Sequence, residues 1–487
     1  MAEHKILING EWKKSSSGEV FESINPATKK SLGTFQKGTK EDVKSAVDAA
    51  EDAFDKWSET PAPQRAEILF KTAEILKQRK EELGKLVTTE MGKVISEGLG
   101  DVQEAIDIAE YMAGEGRRLF GYTTPSELPN KFAMTLRVPV GVMGLIAPWN
   151  FPIAIPAWKL MPALVCGNTV VFKPATDTPL CAIELVKILE KAGLPKGVVN
   201  LVTGPGGEVG EAILDSKKIR GISFTGSKEV GEHITKKVGV RKLGLELGGK
   251  NAIIVMDDAK LDLAVEGILF GGYGTTGQRC TASSRVIVHE KVKGKLEKML
   301  VERVKKLKVG NGIDSKTDVG PLINQKAVDK THKYTEIGKK EGAKLLVGGK
   351  VGSDKGFFYE PTLFTNVAPS MRIAQEEIFG PVVSMISAKD LKDAIKICNG
   401  VEYGLSSAIY TENMRNAFTA IKKIEAGLTY VNSSTIGAEA HLPFGGVKGT
   451  GNGTREAGIE GIHEFSETKT VYFDYSGKLQ KAQIDVD

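Results

Sequence analysis

The period of apolar and polar positions changes three times along the chain. Residues 5–35 carry short strand-like runs, and Asn9-Gly10 within them is a hairpin-turn signal. Thr39 and Asp42 form a capping box, after which Val43, Val47, Ala50, Phe54 and Trp57 follow at spacings of 4, 3, 4 and 3. That spacing lays one apolar stripe along a helix. Helical periodicity continues through Leu83 and from Asp101 to about Leu119. At residues 131–138 the period falls to two, predicting a strand, and KTVYFDY at 469–475 is a second strand-like run. Neither has a hairpin partner nearby in the chain, so the two are expected to pair with each other or with another subunit.

From residue 141 strands and helices alternate. Strands are expected at 142–146, 169–173, 198–202, 221–224 and 242–246, with helices at 179–192, 208–214 and 228–238. Repeated βα units predict a doubly wound parallel sheet with ligands at the carboxyl ends of its strands. A second αβ series places strands at 251–256, 285–289, 381–388 and 405–410, and helices at 291–306, 325–341 and 391–399. The fold class is α/β.

Composition narrows the function. A chain of 487 residues, 41% apolar and 26% charged, reads as soluble and globular with two or three domains. The net charge of +5 is small and interspersed, which argues against a nucleic-acid or membrane-surface partner. Cys166, Cys181, Cys280 and Cys398 show no CxxC pair and no Cys/His ligand spacing, so neither a disulfide framework nor a metal site is expected. The N-terminal residues lack the apolar core of a signal peptide. The most apolar region, 138–172, is broken by Pro148, Asn150, Pro152, Pro156, Lys159 and Asn168. It falls short of the roughly 20 residues that span a bilayer. A cytoplasmic enzyme is the expectation.

Candidate chemistry centres on GGYGTTGQRCTASSR, residues 271–285. Glycines let the backbone approach a ligand closely, and the guanidinium groups of Arg279 and Arg285 would favour the reactive thiolate of Cys280. The other reading of Cys280 is a buried, inert thiol. In the first βα series Lys173-Pro174, GPGG at 204–207 and Thr225-Gly226-Ser227 each follow an expected strand. The last opens a helix whose amides could hold a phosphate. The dinucleotide fingerprint GxGxxG is not met: Gly204, Gly206 and Gly210 have one residue too many before the last glycine.

Seven motifs occur in order: PWNFP at 148–152, KPATDTP at 173–179, FTGSKEVG at 224–231, LELGGK at 245–250, GQRC at 277–280, EEIFGPV at 376–382 and PFGGVKGTG at 443–451. Together they resemble the aldehyde dehydrogenase superfamily over essentially the full length. The resemblance implies that Cys280 attacks an aldehyde, that Asn150 stabilises the oxyanion, and that Glu246 activates the water that hydrolyses the resulting thioester. Read alone, Asn150 is equally a turn residue between prolines and Glu246 a solvated strand end. The resemblance further implies an NAD(P) site. Gly226, Ser227 and Gly231 would lie at the pyrophosphate, Lys173 and Thr176 at the adenosine ribose, Glu377 at the nicotinamide ribose and Phe379 at its ring. Trp149, Gly206 and Leu247 complete the set, and Lys159 and Glu467 are assigned to proton relay.

Thr176 departs from the glutamate usual in NAD-preferring relatives. A hydroxyl can donate to a 2′-phosphate that a carboxylate would repel, so NADP is the expected preference, with NAD use possible. For substrate, Arg279 resembles the arginine of relatives acting on anionic aldehydes, which include the non-phosphorylating glyceraldehyde-3-phosphate dehydrogenases and the aminoadipic semialdehyde group. GQRCTASSRVIV with IAQEEIFGPV resembles 2-oxoglutarate semialdehyde (2,5-dioxopentanoate) dehydrogenases. Arg279, Arg285 and Phe151 are the candidate substrate residues; structural salt bridges are the competing role for the arginines. The implied organisation is a cofactor domain over 1–120 and 141–247, a catalytic domain over 248–446, and oligomerisation segments 121–140 and 447–487 forming a small β arm in a homo-dimer or homo-tetramer. A coenzyme A-acylating enzyme lacks the equivalent of Glu246, and a thiol hydrolase or non-catalytic relative would leave the phosphate loops or the Cys280, Asn150, Glu246 set unexplained.

Overall fold

The computed structural model describes residues 2–484, so residue 1 of the expected first domain and 485–487 of the expected arm lie outside the described residues. One seven-stranded sheet comprises β1 (Ile6–Ile8), β2 (Glu11–Lys13), β3 (Val142–Ile146), β4 (Thr169–Lys173), β5 (Val199–Leu201), β6 (Ile219–Thr225) and β7 (Lys242–Glu246). Its order is β7-β6-β3-β4-β5-β1-β2. β3 to β7 run parallel, and the β1–β2 hairpin closes one edge. Asn9 and Gly10 take φ of 52° and 73°, the left-handed pair that a two-residue hairpin requires. Residues of β3 and β4 are buried on both faces, which is why these strands read as unbroken apolar runs.

The chain enters the parallel part of this sheet at β3, winds outward through β4 and β5, then returns to the other side of β3 for β6 and β7. That reversal opens a crevice at the carboxyl ends of β3 and β6. Helix α1 (Lys40–Glu59) starts on the expected capping box, with Val43, Val47, Ala50 and Trp57 buried. Helix α2 (Ile95–Glu115) stops short of the expected Leu119, where Gly114 and Gly116 withdraw helix propensity. Helix α3 (Ala154–Val165) is buried nearly throughout, and α4 (Lys228–Val238) follows the third expected phosphate loop.

A second seven-stranded sheet comprises β8 (Ala252–Val255), β9 (Arg285–His289), β10 (Lys344–Val347), β11 (Thr362–Thr365), β12 (Val382–Ala388), β13 (Ser406–Tyr410) and β14 (Leu428–Val431), in the order β10-β11-β12-β9-β8-β13-β14. Helix α5 (Leu261–Tyr273) covers one face and α6 (Leu391–Asn399) the other. The chain leaves the carboxyl edge of the first sheet at Glu246 and enters the amino edge of the second at Ala252. The link 247–251, and the loop 274–284 that returns the chain to the same amino edge at Arg285, therefore lie at the seam between the two sheets.

The two lone strands pair with each other: Lys131–Pro139 runs antiparallel to Ser466–Asp474 along its whole length, and Thr123–Pro125 adds a third strand. Val447–Lys448 pairs with Tyr403–Gly404, and the helix Gly458–Glu464 packs on α3, carrying Glu456 and Glu464 into the interior. No helix among the described residues is long and apolar enough to cross a membrane.

Candidate active site

Parallel register aligns the carboxyl ends of the first sheet. Ile146 lies beside Lys173, and Thr225 beside Glu246. Pro148 to Asn150 therefore emerge between the loops that carry Lys173 and Gly226. Two cavities meet there. One, of about 260 Å³, is lined by Trp149, Asn150, Gly226, Ser227, Leu247, Glu377, Phe379 and Cys280. The other, of about 150 Å³, is lined by Phe151, Trp158, Glu246, Arg279, Phe444, Glu456 and, again, Cys280. Cys280 is thus a wall of both. A larger groove of about 1060 Å³ between segments 304–311 and 347–361 holds none of these residues.

The loop that presents Cys280 is held by force. Glycine was the expected device, yet Gly271 and Gly272 lie in α5, where added Cβ atoms would meet Ser283 and Val383. The left-handed positions are Thr275 (φ 49°), Thr276 (φ 58°) and Gly277 (φ 68°). For a β-branched residue that region costs about 1–3 kcal/mol, so surrounding contacts must impose it. They are visible: Thr276 donates to the Gly320 carbonyl at 3.0 Å, Ile323 N donates to Gln278 Oε1 at 2.9 Å, and Asn150 Nδ2 donates to the Gln278 carbonyl at 3.0 Å.

Burial, not charge, sets the resting state of the thiol. Loss of water pushes Cys280 up to about 12, and the charges of Glu246 and Glu377 add to the rise. Of the two guanidinium groups expected to favour the thiolate, Arg279 acts in that direction but is outweighed by burial, and Arg285 takes no part. Arg285 is buried in the second sheet, donating to the carbonyls of Lys250, Ile397 and Cys398 at 2.9–3.0 Å. It reaches neither Cys280 nor the cavity, so it is structural. Arg279 does line the smaller cavity, but its Nη2 donates to Glu97 Oε1 at 3.0 Å and its Nε to Thr275 Oγ1 at 2.8 Å. The rings of Phe151 and Phe270 flank it at 5.0 and 5.6 Å, and Lys93 Nζ stands 3.5 Å over Phe151.

Glu246 is 4% exposed, and neither carboxyl oxygen has a hydrogen-bond partner among the described residues. Burial, reinforced by the charge of Glu456, holds its carboxyl well above the usual carboxylate range. Lys159, fully buried, donates to Ser223 Oγ at 2.8 Å and to Glu456 Oε1. Glu467 does not belong here: it is exposed and pairs with Lys242 on the surface. Glu456 and Glu464, passed over in the sequence, occupy the interior instead: Glu464 is the last residue of Gly458–Glu464, and Glu456 precedes that helix by two residues, bridged to Phe444. A carboxylate on the apolar side of a short helical run was a sequence signal for Glu464 alone.

The larger cavity suits a nicotinamide dinucleotide. Ser227 caps α4 by accepting from Val230 N at 3.4 Å, which leaves its O–H free to donate. A Cβ at Gly231 would strike Leu247, so this glycine lets the helix start lie against the strand end. Glu377 accepts from Gly249 N at 2.8 Å with one oxygen. A Cβ on Gly248 would collide with that carboxylate. Phe379, itself at φ 61°, meets Trp149 edge-on at 5.5 Å and forms an aromatic wall. Lys173, the last residue of β4, and Thr176 and Gly206, on the loops after β4 and β5, stand outside this cavity. Lys173 is buried, which draws its ammonium down to about 8, and it donates to the Pro174 carbonyl. Thr176 Oγ1 donates to the Gly204 carbonyl at 3.2 Å. Gly206 opens a π-helical turn at residues 206–210, which explains the extra residue in the near-fingerprint.

Comparison with known proteins agrees with this geometry. The model of the "Aldehyde dehydrogenase family" matches residues 12–471. The chain is 43% identical to the "Alpha-ketoglutaric semialdehyde dehydrogenase" of Bacillus subtilis (strain 168), covering 96% of this chain and 97% of that one. It is also 43% identical to "Retinaldehyde dehydrogenase 3" of Mus musculus, covering 96% and 92%. Among solved structures, betaine aldehyde dehydrogenase from Staphylococcus aureus in complex with NAD+ superposes with a TM-score of 0.96 at 37% identity, covering 98% of this chain and 96% of that one. The chain belongs to the aldehyde dehydrogenase family of NAD(P)-dependent oxidoreductases.

Proposed function

We propose that the protein oxidises a small aldehyde bearing a carboxylate, with Cys280 as nucleophile and NADP as the favoured cofactor. The observation that carries this reading is the position of Cys280 in the walls of both cavities, one suited to a dinucleotide and the other to an aldehyde. Cys280 gives its proton to water and its thiolate adds to the aldehyde carbon, giving a thiohemiacetal oxyanion; loss of hydride from that carbon re-forms the carbonyl as a thioester. Asn150 is fixed by one N–H on the Gln278 carbonyl and offers the second to the oxyanion, a donor worth about 3–4 kcal/mol. A nicotinamide held between Glu377 and Phe379 in the cavity of about 260 Å³ would supply the hydride acceptor. Glu246, once ionised, takes a proton from water as that water attacks the thioester, and the acid leaves as Cys280 regains its sulfur lone pair. The Lys159–Glu456 pair, close enough to shift Glu246, is where that proton passes next.

Two relatives of equal identity carry different substrate names, so identity does not choose. The cavity favours the semialdehyde class: about 150 Å³ is small for a long polyene, and it holds an arginine. Arg279 Nη1 has no protein partner among the described residues, so the anchored guanidinium keeps a donor for a carboxylate. NADP is favoured because position 176 carries a threonine in place of a carboxylate that would repel a 2′-phosphate. A panel of neutral, carboxylated and phosphorylated aldehydes crossed with NAD and NADP tests both points. Equal efficiency on neutral aldehydes would remove the substrate reading. The expected arm would serve self-assembly: Phe132, Leu136, Tyr472 and Phe473 are exposed on its strands, a surface suited to a second copy.

A further inference from the structure

We infer that Glu97 is a positioning residue that holds the Cys280 loop in register from across the domain seam. It stands in the first turn of α2, in the part of the chain that precedes the first parallel strand, yet it reaches the nucleophile loop of the second αβ series. Both of its carboxylate oxygens accept from Thr275 N, at 2.8 and 3.0 Å. Oε1 also accepts from Arg279 Nη2 at 3.0 Å, and Arg279 Nε donates to Thr275 Oγ1 at 2.8 Å. The three residues close a triangle over the left-handed threonines, and its last corner is the residue bonded to Cys280. Glu97 and Arg279 side chains are only 11% and 14% exposed, so water screens the triangle little. Other restraints on the loop, at Gly320 and Ile323, come from its own side of the seam. Among the described residues, Asn150 and Glu97 are the two that hydrogen-bond this loop to the first domain.

This inference rests on Cys280 being the nucleophile, and its test separates the two. Glu97→Ala and Glu97→Gln are assayed with a neutral and a carboxylated aldehyde, and the rate of Cys280 alkylation by iodoacetamide is followed by mass spectrometry without cofactor. A loop that shifts by a fraction of an ångström loses turnover on every substrate. Glu97→Ala should lower kcat about ten-fold or more on both aldehydes and change the alkylation rate several-fold. Glu97→Gln, whose amide oxygen still accepts from Thr275 N, should recover most of both. If Glu97→Ala does not fold, Glu97→Gln decides: a smaller loss shared by both aldehydes supports the inference, and no loss overturns it. A defect confined to KM for the carboxylated aldehyde, with alkylation unchanged, would also overturn it, because Glu97 would then act on substrate through Arg279 alone. Aldehyde oxidation retained by Cys280→Ala would instead sink the underlying nucleophile reading.

Discussion

Asn150 Nδ2 donates to the Gln278 carbonyl at 3.0 Å, so the proposed oxyanion donor is fastened to the turn that carries Cys280 two residues later. Nucleophile and donor then move together, and the distance between them is set before substrate arrives. Removing the amide should therefore damage the transition state more than binding. Asn150→Ala is expected to lower kcat by about 10²–10³-fold with KM changed only a few-fold. Steady-state kinetics check this, and an equal rise in KM would point to a binding role.

Glu246 must be ionised to act as a base, and its burial among carboxylates raises its affinity for a proton. Turnover should therefore climb with pH through a value well above the ordinary carboxylate range. In Glu246→Gln hydrolysis should fail while the first half-reaction survives. A burst of reduced cofactor near one equivalent per active site, followed by turnover about 10²–10⁴-fold slower, is expected. Rapid-mixing absorbance reads both phases.

Much of this was legible in the chain. The βα alternation from residue 142 and the capping box at Thr39 lay in local periodicity, which burial in a parallel sheet preserves. Cys280 stood out by its glycine-rich approach, whereas the roles of Asn150 and Glu246 came only from the resemblance; the structure brings all three to the walls of two adjoining cavities. Arg285 misled because proximity in sequence was read as proximity in space, whereas a strand start carries its side chain into the sheet. Glu456 was missed because burial of a carboxylate depends on a helix packing from over 290 residues away on Lys159, and no local pattern encodes that.

Lys93 and Asp101 form an ion pair with both side chains fully buried, and Asp101 Oδ1 also accepts from Ala154 N at 2.7 Å at the start of α3. Deleting the carboxylate strands an ammonium inside the protein. Asp101→Ala should cost about 3–5 kcal/mol of stability. Denaturant unfolding of the variant measures the loss, and a change under ~1 kcal/mol would show that water reaches Lys93.

Burial also pushes Glu464 up to about 8 from an ordinary 4.5, with no hydrogen-bond partner for its oxygens among the described residues. The folded state holds this proton more tightly than the unfolded state. Its contribution to stability is complete below about 4.5 and is lost as pH climbs to about 8. Glu464→Gln cannot lose that proton. Its stability, read by denaturant unfolding, should fall less than that of the native protein between about pH 5 and 8. Parallel curves for the two proteins would contradict the assignment.

Thr176→Glu places a carboxylate where a 2′-phosphate would lie. The variant should lose NADP efficiency by about ten-fold or more while NAD is spared or improved. An unaltered ratio of kcat/KM for the two cofactors would remove Thr176 from the specificity argument.

The central claim is that one sulfur serves both cavities. It is tested most directly by incubating Glu246→Gln with aldehyde and oxidised cofactor, then weighing the intact protein. An added mass equal to the acyl group, mapped to the peptide containing Cys280 and absent from the Cys280→Ala double variant, is predicted. Aldehyde oxidation with no acyl adduct on that peptide would contradict it.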